Sequence, residues 1–144
     1  MVKFEIVVGS VLGASEYVAE AIKAQLEERK HQVVIHFEPN VDEVNFNNIL
    51  IVVTSTHGAG DLPDNIQAFQ SQLAKRTLND IPFIVIGLGD SSYDTFCQGA
   101  ITMEDTLLKG GARRLHPPIH IDVLHHPIPE DEAVIFMQKV LTTL

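Results

Sequence analysis

A chain of 144 residues, 45% hydrophobic and 20% charged, has the length of one domain and enough apolar material for a real core. Its formal net charge of −9, with the seven histidines taken as neutral, and its lack of any Lys/Arg cluster argue against nucleic acid as a partner. The lone cysteine, Cys97, excludes an internal disulfide, and no apolar run approaches the roughly 18 residues of a membrane helix, so a cytoplasmic protein with no membrane partner is expected.

The first ten residues, MVKFEIVVGS, carry one lysine and a short apolar run broken by Glu5. They make a poor signal peptide and a good first strand over residues 4–8. A helix is expected over residues 15–30, where Val18, Ala19, Ile22 and Leu26 recur on one face. Residues 32–37 read as a second strand. Residues 49–53 read as a third, apolar on both faces as a central parallel strand is. The intervening segment, 38–48, has room for only a short helix. A helix near residues 65–76 follows, then a fourth strand over 82–86. The helix from about 99 to 109 stops at Gly110 and Gly111. Residues 119–124 form a fifth strand. Pro129 opens a last helix, whose Glu130, Asp131 and Glu132 lie at the positive end of the helix dipole. Five strands alternating with helices predict a single α/β domain over residues 1–144, an open parallel sheet with helices on both faces.

In such sheets ligands bind outside the carboxyl ends of the strands. Three loops therefore belong together. GSVLGAS (9–15) offers backbone N–H groups at a helix N-terminus and the hydroxyls of Ser10 and Ser15. It has no Lys or Arg and matches neither the P-loop nor G-x-G-x-x-G. A phosphate monoester held by neutral donors is one reading. A plain turn with Ser15 capping the helix is the other, and this loop alone favours it. In TSTHGAGDLPDN (54–65), Ser55 and Thr56 can continue an anion site, and Gly58 and Gly60 permit positive φ and close backbone approach. His57 can lie against a ring edge, and Asp64 can cap the next helix. The cap and turn account for 62–65 and leave 55–60 unexplained. In GLGDSSYDTFC (87–97), Tyr93 can stack on an aromatic ligand or rest as a half-buried loop tyrosine. Phe96 reads as core, and Cys97 as a small buried residue rather than a redox thiol. None of the three loops carries a catalytic base beside a nucleophile.

Together these segments resemble the FMN-binding loops of the flavodoxin-like superfamily. The likeness is greatest to its small bacterial flavoproteins and to the FMN domains of diflavin reductases, and it continues through IPEDEA near the C-terminus. The resemblance implies a three-layer open sheet of five parallel strands in the order 2-1-3-4-5, an order for which flavodoxin itself is the type example. It implies FMN as cofactor. Ser10, Val11, Leu12, Gly13, Ala14 and Ser15 would hold the 5′-phosphate. Ser55, Thr56, His57, Gly58, Ala59 and Gly60 would line the flavin, with His57 in the place of an aromatic that covers one face and Gly58 presenting backbone to N5. Leu88, Gly89, Asp90, Tyr93, Phe96 and Cys97 would complete the ring pocket, with Tyr93 on the other face. Leu12 and Ala14 stand where the family usually has hydroxyls, which implies weaker FMN binding than in typical flavodoxins. The implied role is a monomeric electron carrier, not an enzyme, that takes electrons from a flavin reductase and passes them to an acceptor enzyme, with support of biotin synthesis as the downstream use. Two other readings stand beside it: an FMN-dependent quinone or nitro reductase, and a regulatory adaptor that has lost tight FMN binding. A metal site in HPPIHIDVLHH (116–126) is disfavoured. Pro117 and Pro118 exclude a helix that would align His116 with His120, and a strand leaves only His120 and Asp122 on one face.

Overall fold

The computed structural model describes residues 2–144. In chain order the elements are β1 (Lys3–Gly9), α1 (Ala14–Glu28), β2 (Gln32–His36), β3 (Ile49–Thr54), α2 (Asp64–Leu73), β4 (Pro82–Gly89), α3 (Gln98–Lys109), β5 (Arg113–Arg114), β6 (Ile119–Asp122) and α4 (Pro129–Leu141).

Strand periodicity divides the apolar residues into two cores. Phe4, Ile6 and Val8 of β1 face one side, with Ile51 and Val53 of β3 and Ile84 and Ile86 of β4. They pack against Val18, Ile22 and Leu26 of α1 and against Ala133, Met137 and Val140 of α4. Val7, Leu50, Val52, Phe83 and Val85 face the other side, against Ile66, Phe69 and Leu73 of α2 and Ala100, Met103 and Leu107 of α3. Because β3 and β4 feed both cores, they read as unbroken apolar runs. The helices thus form the outer two layers.

All strand pairs are parallel, in the order β2-β1-β3-β4, with β5 and β6 both on the outer edge of β4. The order agrees with the expected 2-1-3-4-5, but the sheet has six strands rather than five. The fifth position is occupied by two pieces placed end to end. β5 pairs with Pro82 and Phe83, and β6 pairs with Ile86 through Gly89. Between them lie Pro117 and Pro118, which have no N–H to donate to the ladder.

The segment 38–48 forms turns in place of the short helix considered for it. Asn40 Oδ1 accepts the Asp42 N–H at 2.9 Å, and Asn45 Oδ1 accepts the Asn47 N–H at 3.0 Å. Such side-chain bonds offer the backbone an alternative to helix. Val41 and Val44 anchor the segment to the second core. Glu5 holds it as well. This carboxylate is only 3% exposed within β1. Its Oε1 lies 2.9 Å from His36 Nε2 and accepts the Asn45 N–H at 3.2 Å, while Oε2 accepts from Asn48 Nδ2 at 3.1 Å.

Two helix starts differ from expectation. Gly13 (φ 90°), not Ser15, occupies the N-cap of α1, and Pro63, not Asp64, that of α2. Neither helix has a side-chain cap hydrogen bond. The end of α3 is as its two glycines predict. Gly111 takes φ +94°, its N–H donates to the Leu108 carbonyl, and the Ala112 N–H donates to the Leu107 carbonyl, which is a Schellman closure.

Candidate functional site

The loops after β1, β3 and β4 meet at the carboxyl edge of the sheet around a cleft of about 390 Å³, a volume typical of small-molecule sites. Thirteen of the expected residues line it: Val11, Leu12 and Ala14 from the first loop, Ser55, Thr56, His57 and Gly58 from the second, and Leu88, Gly89, Asp90, Tyr93, Phe96 and Cys97 from the third. Ser10, Gly13, Ser15, Ala59 and Gly60 lie outside its wall. Thr95 and Val123 line it unforeseen. Val123 follows β6, and its N–H donates to the Gly89 carbonyl at 2.8 Å. The expected strand over 119–124 placed Val123 inside the sheet; the strand ends at Asp122, which brings Val123 to the same edge as the three loops.

The first loop is built to present donors. The Ser10 N–H is taken by Asn65 Oδ1 at 3.0 Å, and the Gly13 N–H by Ser10 Oγ at 2.9 Å. Among the described residues, the N–H groups of Val11, Leu12, Ala14 and Ser15 have no protein acceptor. The Ser15 side chain is fully buried in the first turn of α1, and its Oγ has no hydrogen-bond partner. A 15-residue helix adds its positive dipole end to these donors. The loop therefore has anion-binding capacity that the protein itself leaves unused.

The second loop is a tight hairpin. The N–H groups of His57 and Asp61 each donate to the other's carbonyl, at 2.7 and 2.8 Å. Closing it over three residues puts Gly58 at φ +54° and Gly60 at φ +106°, conformations that side chains with a Cβ resist. Of the two hydroxyls expected to extend the anion site, Ser55 gives its proton to a backbone carbonyl, while Thr56 acts only as an acceptor and keeps its O–H to donate. Ser55 Oγ donates to the Gly9 carbonyl at 3.4 Å, and Thr56 Oγ1 accepts the Gly99 N–H at the start of α3, at 2.9 Å.

In the third loop Asp90 organises a turn. Its Oδ1 accepts the Ser92 N–H at 2.8 Å and the Ser92 hydroxyl at 2.6 Å. Tyr93 emerges from this turn 65% exposed, and Leu12 on the first loop is 93% exposed. Asp122 at the end of β6 braces the same loop by accepting the Ser91 N–H at 3.1 Å. Hydrogen bonding from Ser91 comes first among the causes that hold the Asp122 carboxyl below the usual carboxylate range; the Leu124 N–H and the nearby His125 also contribute.

Cys97 forms part of the cleft wall with its thiol buried, as expected for a small apolar residue. Burial first, and the Asp122 charge second, push the thiol from 9.0 up to about 12. Between those values the folded chain binds a proton that the unfolded chain has lost, so this group lowers stability as pH rises through that window and contributes nothing pH-dependent near neutrality. The thiolate is the reactive form. Native protein should therefore resist iodoacetamide at mildly alkaline pH while urea-unfolded protein reacts rapidly, as read by mass spectrometry. Equal rates would show the thiol to be accessible.

No helix among the described residues is long and apolar enough to cross a membrane.

A flavodoxin family model matches residues 6–135. The chain is 42% identical over 144 residues to the MioC homolog of Pasteurella multocida, covering 99% of this chain and 98% of that one. It is 38% identical over 143 residues to the sulfite reductase (NADPH) flavoprotein alpha-component of Bacillus subtilis, covering 94% of this chain and 23% of that longer one. Among solved structures, a cysteine-to-alanine mutant of flavodoxin from Pseudomonas aeruginosa superposes with a TM-score of 0.91 at 32% identity, covering 99% of this chain and 98% of that one. Sheet order, loop placement and these likenesses agree: the chain belongs to the flavodoxin family, electron-transfer proteins whose cofactor is FMN.

Proposed function

We propose that the chain binds FMN in this cleft and carries single electrons from a flavin reductase to an acceptor enzyme. The observation that supports this best is the unused donor set at one end of a largely apolar cleft. The free N–H groups of the first loop and the orphaned Ser15 hydroxyl suit a phosphate ester. The cleft beside them suits a flat ring. The residues present therefore fit FMN.

FMN, when bound, supplies the redox chemistry, and the protein supplies position and electrostatics. The first loop would hold the phosphate through backbone donors and Ser15. His57 and Tyr93 would flank the ring, while Leu88, Phe96 and Cys97 exclude water from the wall behind it. With no Lys or Arg in the three loops and a formal charge of −9, the surroundings oppose added negative charge. This lowers the potential of the second electron relative to free FMN. Asp61, Asp64 and Asp94 are exposed beside the cleft, and a basic reductase is the partner they would attract. Likeness to the sulfite reductase flavoprotein supports a reductase as donor. Support of biotin synthesis is the downstream use that this reading carries, with the protein acting as a monomer.

The test is the visible spectrum of purified protein after excess FMN and desalting, followed by stepwise anaerobic reduction. Retained flavin bands and two resolved one-electron steps are the expected result. A colourless protein that refuses FMN would overturn the proposal in favour of an adaptor. Tyr93→Ala gives a second check. Its side chain is mostly exposed, so the fold should melt at an unchanged temperature, while FMN binding weakens by about tenfold. Undiminished affinity would remove Tyr93 from the ring site.

A further inference from the structure

Asn65, the second residue of α2, lies outside the cleft wall and has no role in the reading above. Its side chain nevertheless ties together three segments distant in sequence. Nδ2 donates to the Val8 carbonyl at 2.7 Å, near the end of β1, and to the Phe37 carbonyl at 2.9 Å, just past β2. Oδ1 accepts the Ser10 N–H at 3.0 Å. The chain of contacts continues inward. Ser10 Oγ accepts the Gly13 N–H at 2.9 Å, and the Gly13 carbonyl accepts the Tyr17 N–H in the first turn of α1. One amide thus sets where the first loop leaves the sheet, and through Ser10 it sets how the loop enters the helix. No smaller or singly polar side chain offers two donors and an acceptor here.

We infer that Asn65 is the positioning residue of the phosphate loop. It touches no part of the cofactor. It holds the backbone so that the free N–H groups of Val11, Leu12, Ala14 and Ser15 and the Ser15 hydroxyl converge on one anion. This rests on the FMN reading above and adds a residue to it. Because the Asn65 amide bonds to Ser10, to the end of β1 and to the residue after β2, and to nothing in the second and third loops that line the ring pocket, its removal should be felt by the phosphate and not by the ring.

Comparing FMN with riboflavin, which has the same ring and no phosphate, isolates that effect. Asn65→Ala should weaken FMN binding about ten- to a hundredfold, by analogy with the loss when the outer supports of a metal site are removed. Riboflavin binding should change less than twofold. The 31P resonance of bound FMN should also move in Asn65→Ala and stay in place in Tyr93→Ala. If Asn65→Ala does not fold, Asn65→Ser, which keeps one hydrogen-bonding group, should show the same selective loss to a smaller degree. An equal loss of both flavins, or no loss of either, with the phosphorus resonance unmoved, would overturn the inference and leave Asn65 a general structural post. Wild-type protein that binds neither flavin would overturn the FMN reading and this inference with it. Wild-type protein that binds FMN while the variant fails to discriminate overturns the inference alone.

Discussion

Glu5→Ala is expected to destabilise the fold by about 3–5 kcal/mol, the cost of leaving two partly buried donors without an acceptor at roughly 1–3 kcal/mol each. For a chain of this length that lowers the melting temperature by roughly 10–20 °C. The magnitude follows from what the truncation strands. His36 Nε2, the Asn45 N–H and Asn48 Nδ2 all converge on this one carboxylate, and the His36 side chain is nearly as buried as Glu5 itself. His36 and Asn48 would be left in sites only partly open to water, while the exposed Asn45 can turn to solvent. The connection 38–48 has no helix of its own and depends on Glu5 together with the Val41 and Val44 contacts. Its amides should therefore exchange with solvent much faster in the variant, ahead of global unfolding. Urea titration measures the first effect and hydrogen exchange the second. Glu5 lies far along β1 from the cleft, so flavin binding should survive at temperatures where the variant is folded. A loss below about 1 kcal/mol would mean that the three partners find others and that the connection is held by its valines.

The fate of Glu5 shows what the sequence makes legible and what it does not. The apolar runs of β3 and β4, the stripe Val18–Ala19–Ile22–Leu26 and the Gly110–Gly111 stop are local signals, and each element they mark is present. Glu5 appears in sequence only as a break in an apolar run. Its partners stand 31 to 43 positions away, and no local pattern connects them. The turns of 38–48 are local in mechanism, yet a short helix competes with Asx turns over so brief a stretch, and the asparagines prevail. Strand β5 is two exposed arginines that pair only because the edge of β4 is there to receive them. At the site the three loops are legible because glycines and hydroxyls directly after apolar strands have few structural uses. Which hydroxyl is free is not legible. Ser55 and Ser15 look equivalent as sequence, but the Gly9 carbonyl takes the Ser55 hydroxyl proton and no described residue pairs with that of Ser15.

That difference makes Ser15→Ala informative, since it should move two quantities in opposite directions. Without ligand, the serine buries a hydroxyl that has no partner and sits in a helix, where alanine is the better former. The variant apoprotein should be more stable by about 1 kcal/mol, which raises its melting temperature by a few degrees. With ligand, the same hydroxyl would be a side-chain donor to the phosphate, beside Ser10, whose Oγ accepts the Gly13 N–H and keeps its own O–H to donate. A hydrogen bond to a charged group contributes about 1.5–3 kcal/mol, so FMN affinity should fall roughly ten- to 150-fold. The opposed signs exclude unfolding as the cause of weaker binding, which no destabilising substitution at this loop could do. FMN affinity unchanged within twofold would take the Ser15 hydroxyl out of the anion site and leave the backbone N–H groups of Val11, Leu12, Ala14 and Ser15 and the Ser10 hydroxyl as its donors. A less stable apoprotein would mean that a bound water already satisfies the hydroxyl. The phosphate would then have to displace that water, and the affinity lost in Ser15→Ala should shrink accordingly.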